Sequence, residues 1–186
     1  MGDGVAERRE RFEAVYRQLY APICGYALRR VRHPEDAAEV IAETFATLWR
    51  RFDACPQGGE LRPWLFGVAR RVIANQRRGE RRRSALGERL AANVDRAAFE
   101  TARPDDGTST LARAFTALKE SDRELLSLVA WEGLTTEEIA VALGTNRATV
   151  RLRLHRARRH LLEGLDEKTG AQGLIRLTGG EEHEWT

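Results

Sequence analysis

Residues 133–161 read GLTTEEIAVALGTNRATVRLRLHRARRHL, and this stretch decides the fold. Thr135 followed three residues later by Glu138 has the spacing of a capping box, which starts a short helix. Ile139, Ala140 and Leu143 fall on its inward side. Gly144 then supplies the residue type that ends helices in a left-handed conformation. Thr145 and Asn146 are N-cap types for a second helix. A short helix, a glycine turn and a longer helix make the helix-turn-helix unit, whose second helix enters the DNA major groove. At 100° per residue, Leu154, Ala157 and Leu161 lie within roughly 40° of Val150 and form the stripe expected to be buried. Ala148, Arg151, Leu152, His155, Arg156 and Arg159 lie roughly 100° or more away. That face carries Arg, His and one apolar Leu but no acid. It suits phosphates, guanine edges and a thymine methyl.

The rest of the chain also reads as helical. Phe12, Val15, Tyr16, Leu19, Tyr20, Ile23, Ala27, Leu28 and Val31 step by three and four, which makes one helix stripe. A second helix starts near Pro34, with Glu35 and Asp36 at its positive dipole end. Its stripe is Ala37, Ile41, Phe45, Leu48 and Phe52, flanked by Val40 and Trp49. Residues 53–60 (DACPQGGE) break the pattern and form a loop. A third helix starts at Pro63, carries Trp64, Leu65, Val68, Ala69, Val72 and Ile73, and ends in QRRGERRR. Over 84–108 the periodicity weakens. Leu86, Leu90, Val94 and Phe99 support a partial helix, and RPDDGTST has linker chemistry. Helical patterning returns at Leu111, Phe115, Leu118, Leu125, Leu126, Leu128 and Val129. The acidic, glycine-containing stretch 164–186 is expected to be a disordered tail. The fold class is therefore all-α: two small helical domains joined by a flexible linker. The expected divisions are 12–83, linker 84–108, 109–163 and tail 164–186.

The 186 residues carry a net charge of +3, but the sum hides a pattern. Basic residues exceed acidic ones by six over 1–83 and by two over 109–163. Acids exceed by two over 84–108 and by three over 164–186. Two basic blocks separated by acidic stretches point to nucleic acid as partner. Of 31 basic residues 29 are Arg, a bias that a GC-rich genome explains more simply than selection at each site.

Other classes are excluded. No stretch approaches the ~18 apolar residues of a spanning helix, so membrane insertion is not expected. MGDGVAERRERF lacks a signal peptide's apolar region. Cys24 and Cys55 form no CxxC or Cys/His cluster, which argues against a disulfide scaffold or zinc site and fits a reducing cytoplasm. Cys24 falls on the first helix stripe and is expected to be buried, whereas Cys55 is expected to be exposed in its loop. His33, His155, His160 and His183 have no metal-ligand spacing. No phosphate-cradling or hydrolytic motif occurs, so neither enzymatic activity nor a cofactor is expected.

Two blocks together carry a family resemblance. DAAEVIAETFATLWRRFD (36–53), followed by WLFGVARRVIANQRRGERRR (64–83), resembles region 2 of bacterial RNA polymerase sigma factors. ALKESDRELLSLVAWEGLTTEEIAVALGTNRATVRLRLHRARRHL (117–161) resembles their region 4. With only a short linker between them, the pair resembles the extracytoplasmic-function (ECF, group 4) subfamily of the sigma-70 family. The resemblance implies a factor that binds core RNA polymerase, places it at promoter DNA through −10 and −35 elements, and helps open the −10 region. The implied polymerase surfaces are the β′ clamp helices and the β flap. An anti-sigma factor is a further implied partner. The implied location is cytoplasmic, with the nucleoid when in holoenzyme.

Residue by residue, the resemblance assigns polymerase contact to Asp36, Glu39, Glu43 and Trp49. Ala38, Glu39 and Ala42 stand where the family has Glu, Asp and Gln. The loop 53–60, continuing to about Arg62, matches the family loop that captures a base flipped from the non-template strand. The −10 set is Arg62, Trp64, Arg70, Arg71, Asn75, Arg77 and Arg78. Trp64 heads the apolar stripe and reads first as a core anchor; Arg71 replaces a family Asn. The −35 set is Arg147, Thr149, Arg151, Leu152, His155 and Arg156, with Ala148 for a family Gly and Leu152 for a family Ser. Two other readings stand beside this one: a helix-turn-helix regulator that binds DNA alone, and a sigma-like protein that titrates polymerase without initiating.

Overall fold

The computed structural model describes residues 3–90 and 110–166, and their side chains except at 3, 81, 83–90 and 166. The described residues form seven α-helices and one 3-10 turn: α1 (Asp3–Leu28), α2 (Pro34–Arg50), the turn Gly58–Glu60, α3 (Leu61–Leu90), α4 (Thr110–Ala117), α5 (Glu120–Ala130), α6 (Thr136–Leu143) and α7 (Arg147–Asp166). They pack as two compact units. One holds α1, α2 and α3 with residues 137–145; the other holds α4, α5 and α7. Val94 and Phe99, most of the expected linker and nearly all of the expected tail lie outside the described residues.

The first unit is built on the stripes of α1, α2 and α3. Leu19, Ile23 and Ala27 of α1 are buried, as are Ala37, Val40, Phe45 and Leu48 of α2 and Leu65, Val68, Ala69 and Ile73 of α3. Tyr26 and Phe66 lie off the expected stripes. Both are fully buried, with ring centroids 5.3 Å apart. Pro34 opens α2, with Glu35 and Asp36 in its first turn. The third helix begins at Leu61, which puts Pro63 in its first turn, where a missing N–H costs nothing. It continues past the apolar stripe to Leu90 on good helix formers such as Arg, Glu, Ala and Leu.

One buried group is poorly served. Thr44 of α2 is fully buried, yet its Oγ1 has no hydrogen-bond partner among the described residues. Desolvating a hydroxyl without a partner costs free energy that a methyl of the same size does not. Thr44→Val therefore stabilises the first unit by about 1 kcal/mol. Urea denaturation checks this; a lowered midpoint would contradict it.

The loop after α2 differs from expectation at Cys55, which is buried rather than exposed. The chain turns back on itself there, with Ala54 N–H donating to Arg51 O at 2.9 Å and Cys55 Sγ lying 3.2 Å from Phe52 O. Burial pushes the Cys55 thiol pKa up, which suppresses the thiolate. Cys24 is half-buried rather than buried as its stripe position implied, and thus reacts with a thiol reagent before Cys55 in the folded protein. Equal labelling rates without denaturant would contradict this.

In the second unit α4 and α5 pack on α7, with Ala114, Leu118, Leu125, Leu128, Val150, Leu154, Ala157 and Leu165 buried, and Leu134 is buried as well. Asp122 of α5 and His160 of α7 meet at 2.7 Å. Arg123 of α5 donates through Nη1 to Thr116 O at 3.0 Å, closing the last turn of α4. Phe115 and Trp131 meet edge to face at 5.2 Å, with Trp131 53% exposed.

Candidate nucleic-acid interface

The start of α7 is set by local chemistry. Gly144 ends the preceding helix in the left-handed region at φ +63°. Asn146 Oδ1 then accepts from the Thr149 N–H at 2.8 Å, satisfying an open donor of the first turn. Thr149 is therefore held at the N-terminus of α7, where the dipole favours phosphate.

Beyond the cap, α7 is two-faced. Val150, Leu154 and Ala157 are buried; Leu161 is half-buried at the stripe's end. Arg147, Arg151, Leu152, His155 and Arg156 are exposed, and Leu152 is 51% exposed despite being apolar. Among the described residues no carboxylate pairs with Arg151 or Arg156, whereas Arg159 pairs with Glu163 at 3.3 Å. Unpaired guanidiniums beside an exposed Leu give both the charge and the apolar contact that major-groove reading needs.

The first unit places its site residues differently. Arg70, Arg71, Asn75 and Arg78 are exposed along α3. Arg78 donates to Asn75 Oδ1 at 2.8 Å and to Ala74 O at 3.3 Å, so it lies along its own helix. Arg77 is half-buried and donates through Nη2 to Arg30 O at 2.7 Å, just beyond the end of α1. Arg62 is half-buried, with its guanidinium 5.4 Å from the Phe66 ring centroid.

Residues divided by the sequence reading between polymerase and DNA meet in one cleft. A groove of about 710 Å³ between α2 and α3 is lined by Glu39, Ala42 and Glu43 from one helix and Trp64, Arg71 and Asn75 from the other. Trp64 is half-buried at its wall, between a core position and an exposed platform. Gln76 donates to Glu39 Oε2 at 3.1 Å. Glu43 accepts from Arg50 at 2.5 Å and from Thr47 at 3.3 Å, and the Arg50 guanidinium holds its carboxyl below the usual range. Asp36 is half-buried in the first turn of α2. Trp49 is 37% exposed, with the guanidinium of Arg8 4.2 Å from its ring centroid. Arg8 has no motif around it to single it out, and only the fold reveals it.

Residues 15–83 match Sigma-70 region 2, and residues 109–161 match Sigma-70, region 4. The chain is an RNA polymerase sigma factor of the ECF type. It is similar to the ECF RNA polymerase sigma factor SigL of Mycobacterium tuberculosis, at 32% identity over 83% of this chain and 88% of that protein. It is also similar to the RNA polymerase sigma factor CarQ of Myxococcus xanthus, at 29% identity over 86% of this chain and 91% of that one. In fold it resembles the sigma factor RpoE, solved in complex with the anti-sigma factor NepR from Bartonella quintana. The TM-score is 0.61 at 21% identity, covering 86% of this chain and 99% of that one. CnrH, solved with the cytosolic domain of CnrY, gives a TM-score of 0.58 at 20% identity, over 87% and 91% of the two chains. Family membership disfavours the stand-alone regulator. No helix among the described residues is long and apolar enough to cross a membrane.

Proposed function

We propose that this sigma factor reads the −35 duplex with α7 and the −10 strand with the loop 53–60 and α3, while α2 carries the contact to the β′ clamp helices. The observation that carries the reading is the α7 face, where Arg151, Leu152, His155 and Arg156 stand exposed behind an Asn146 cap. On α3, Arg70, Arg71 and Arg78 supply phosphate contacts, which position DNA without specifying sequence. Glu39 and Glu43 suit a basic partner surface, and the exposed Trp131 beside Phe115 is an anchor of the size that interfaces favour, here for the β flap. An anti-sigma factor is proposed as a second partner, on the precedent of the solved relatives, both determined with other proteins bound. The factor itself catalyses no reaction in this reading.

The test is binding with and without core enzyme. The chain co-elutes with purified core polymerase, and footprints on promoter DNA show two protected blocks only when core is present. Tight footprints by the chain alone, with no co-elution, would overturn the proposal in favour of the stand-alone regulator.

A further inference from the structure

Arg8 sits near the start of α1 and reaches the far end of α2. Its Nη2 donates to the carbonyl of Trp49, in the last turn of α2, at 2.6 Å. Its guanidinium stacks over the Trp49 indole at 4.2 Å. Its Nε lies 3.1 Å from Asp53 Oδ2 as an ion pair off the N–H axis. One turn along α1, Phe12 packs edge-on against Trp49 at 5.0 Å and Phe52 at 5.8 Å. One guanidinium thus caps a helix C-terminus, covers one face of an aromatic ring and holds the first residue of the loop 53–60.

That loop is exposed at Asp53, Ala54 and residues 57–60, and is anchored from below by buried Phe52 and Cys55. Asp53 is 73% exposed, and Arg8 is its ion-pair partner among the described residues. Arg8 therefore provides the loop's upper tether. A cation at a helix C-terminus is also favoured by the dipole, and a planar guanidinium stacks and donates together where an ammonium does not.

We propose that Arg8 is a positioning residue for promoter opening, fixing where the loop 53–60 begins and so how it meets the unpaired −10 strand. This rests on the reading of that loop as the pocket for a flipped base. Positioning acts on strand capture rather than on initial docking, so its loss falls on isomerisation of the closed complex.

The experiment uses holoenzyme made with the full chain, on a promoter carrying 2-aminopurine in the non-template −10 strand. Closed-complex affinity and the rate of the fluorescence rise are measured separately. Arg8→Ala is expected to slow the rise about tenfold while closed-complex affinity stays within about twofold. Arg8→Lys restores less than half of the loss. Asp53→Ala slows the rise as well, and the double variant is no slower than Arg8→Ala alone. A folded Arg8→Ala holoenzyme that opens at the wild-type rate would overturn the proposal, as would a loss confined to closed-complex affinity. Should Arg8→Ala fail to fold, a wild-type rate for Asp53→Ala overturns it equally. Wild-type holoenzyme that initiates without any fluorescence rise refutes the loop reading itself, and the proposal with it.

Discussion

Arg77→Ala lowers the stability of the first unit by about 2 kcal/mol, whereas Arg78→Ala leaves it within about 0.5 kcal/mol. Both residues lie in the basic second half of α3 and look equivalent in sequence. Arg77 is half-buried and its guanidinium meets the carbonyl of Arg30 at 2.7 Å, where it ties α3 to the end of α1. A hydrogen bond from a charged group contributes about 1.5–3 kcal/mol, and removing it leaves a carbonyl short of a partner. Arg78 is exposed and, among the described residues, bonded only within its own helix turn, so its loss costs little. The functional effects run the other way. Arg78→Ala lowers the salt dependence of promoter binding by up to about one phosphate's worth, while Arg77→Ala acts through folding. Thermal melts of the two variants, with promoter binding titrated against salt, separate the roles. Equal melting temperatures would contradict the assignment of Arg77.

Sequence pattern alone does not separate Arg77 from Arg78. Helix positions were legible wherever the signal was local. The α7 stripe of Val150, Leu154 and Ala157 is buried and the opposite face exposed, because one period of 3.6 residues governs both. The Gly144 stop and the Asn146 cap were equally local, each depending on one residue type at one helix end. Long-range partners were not legible. Arg8 closes α2, Arg77 reaches the end of α1, and Arg123 closes α4. Each donates to a carbonyl at or near the end of another helix, and no periodicity encodes such a pairing. A composition-level account of the Arg excess gives way at these three positions to a specific use of the guanidinium. Cys55 follows the same logic, since its burial depends on the backbone turning back after Phe52. The cleft joining Glu39 and Glu43 with Trp64 and Asn75 also exists only once α2 and α3 pack.

Arg151→Ala weakens recognition of the −35 element by about 1–3 kcal/mol and relaxes base preference at one position. Arg151 is exposed, one turn from the Asn146 cap, and has no carboxylate partner among the described residues. It therefore breaks no ion pair on entering the groove. The stability of the second unit is unchanged, because the buried side of α7 is carried by Val150, Leu154 and Ala157. Leu152→Ser, which restores the family residue, changes base preference without changing salt dependence, since Leu152 carries no charge. Competition binding of holoenzyme on single-base promoter variants checks both. A uniform loss across all variants would show that Arg151 holds a phosphate instead of a base edge.

As a sigma factor, this chain starts transcription by giving core polymerase a promoter. Run-off transcription with purified core enzyme over a genomic promoter library tests this. The expected transcripts depend on the chain, begin at discrete sites and share two upstream sequence blocks, with recognition of the block farther upstream altered by Arg151→Ala. Core binding without any promoter-specific transcript would contradict it and leave a protein that titrates polymerase.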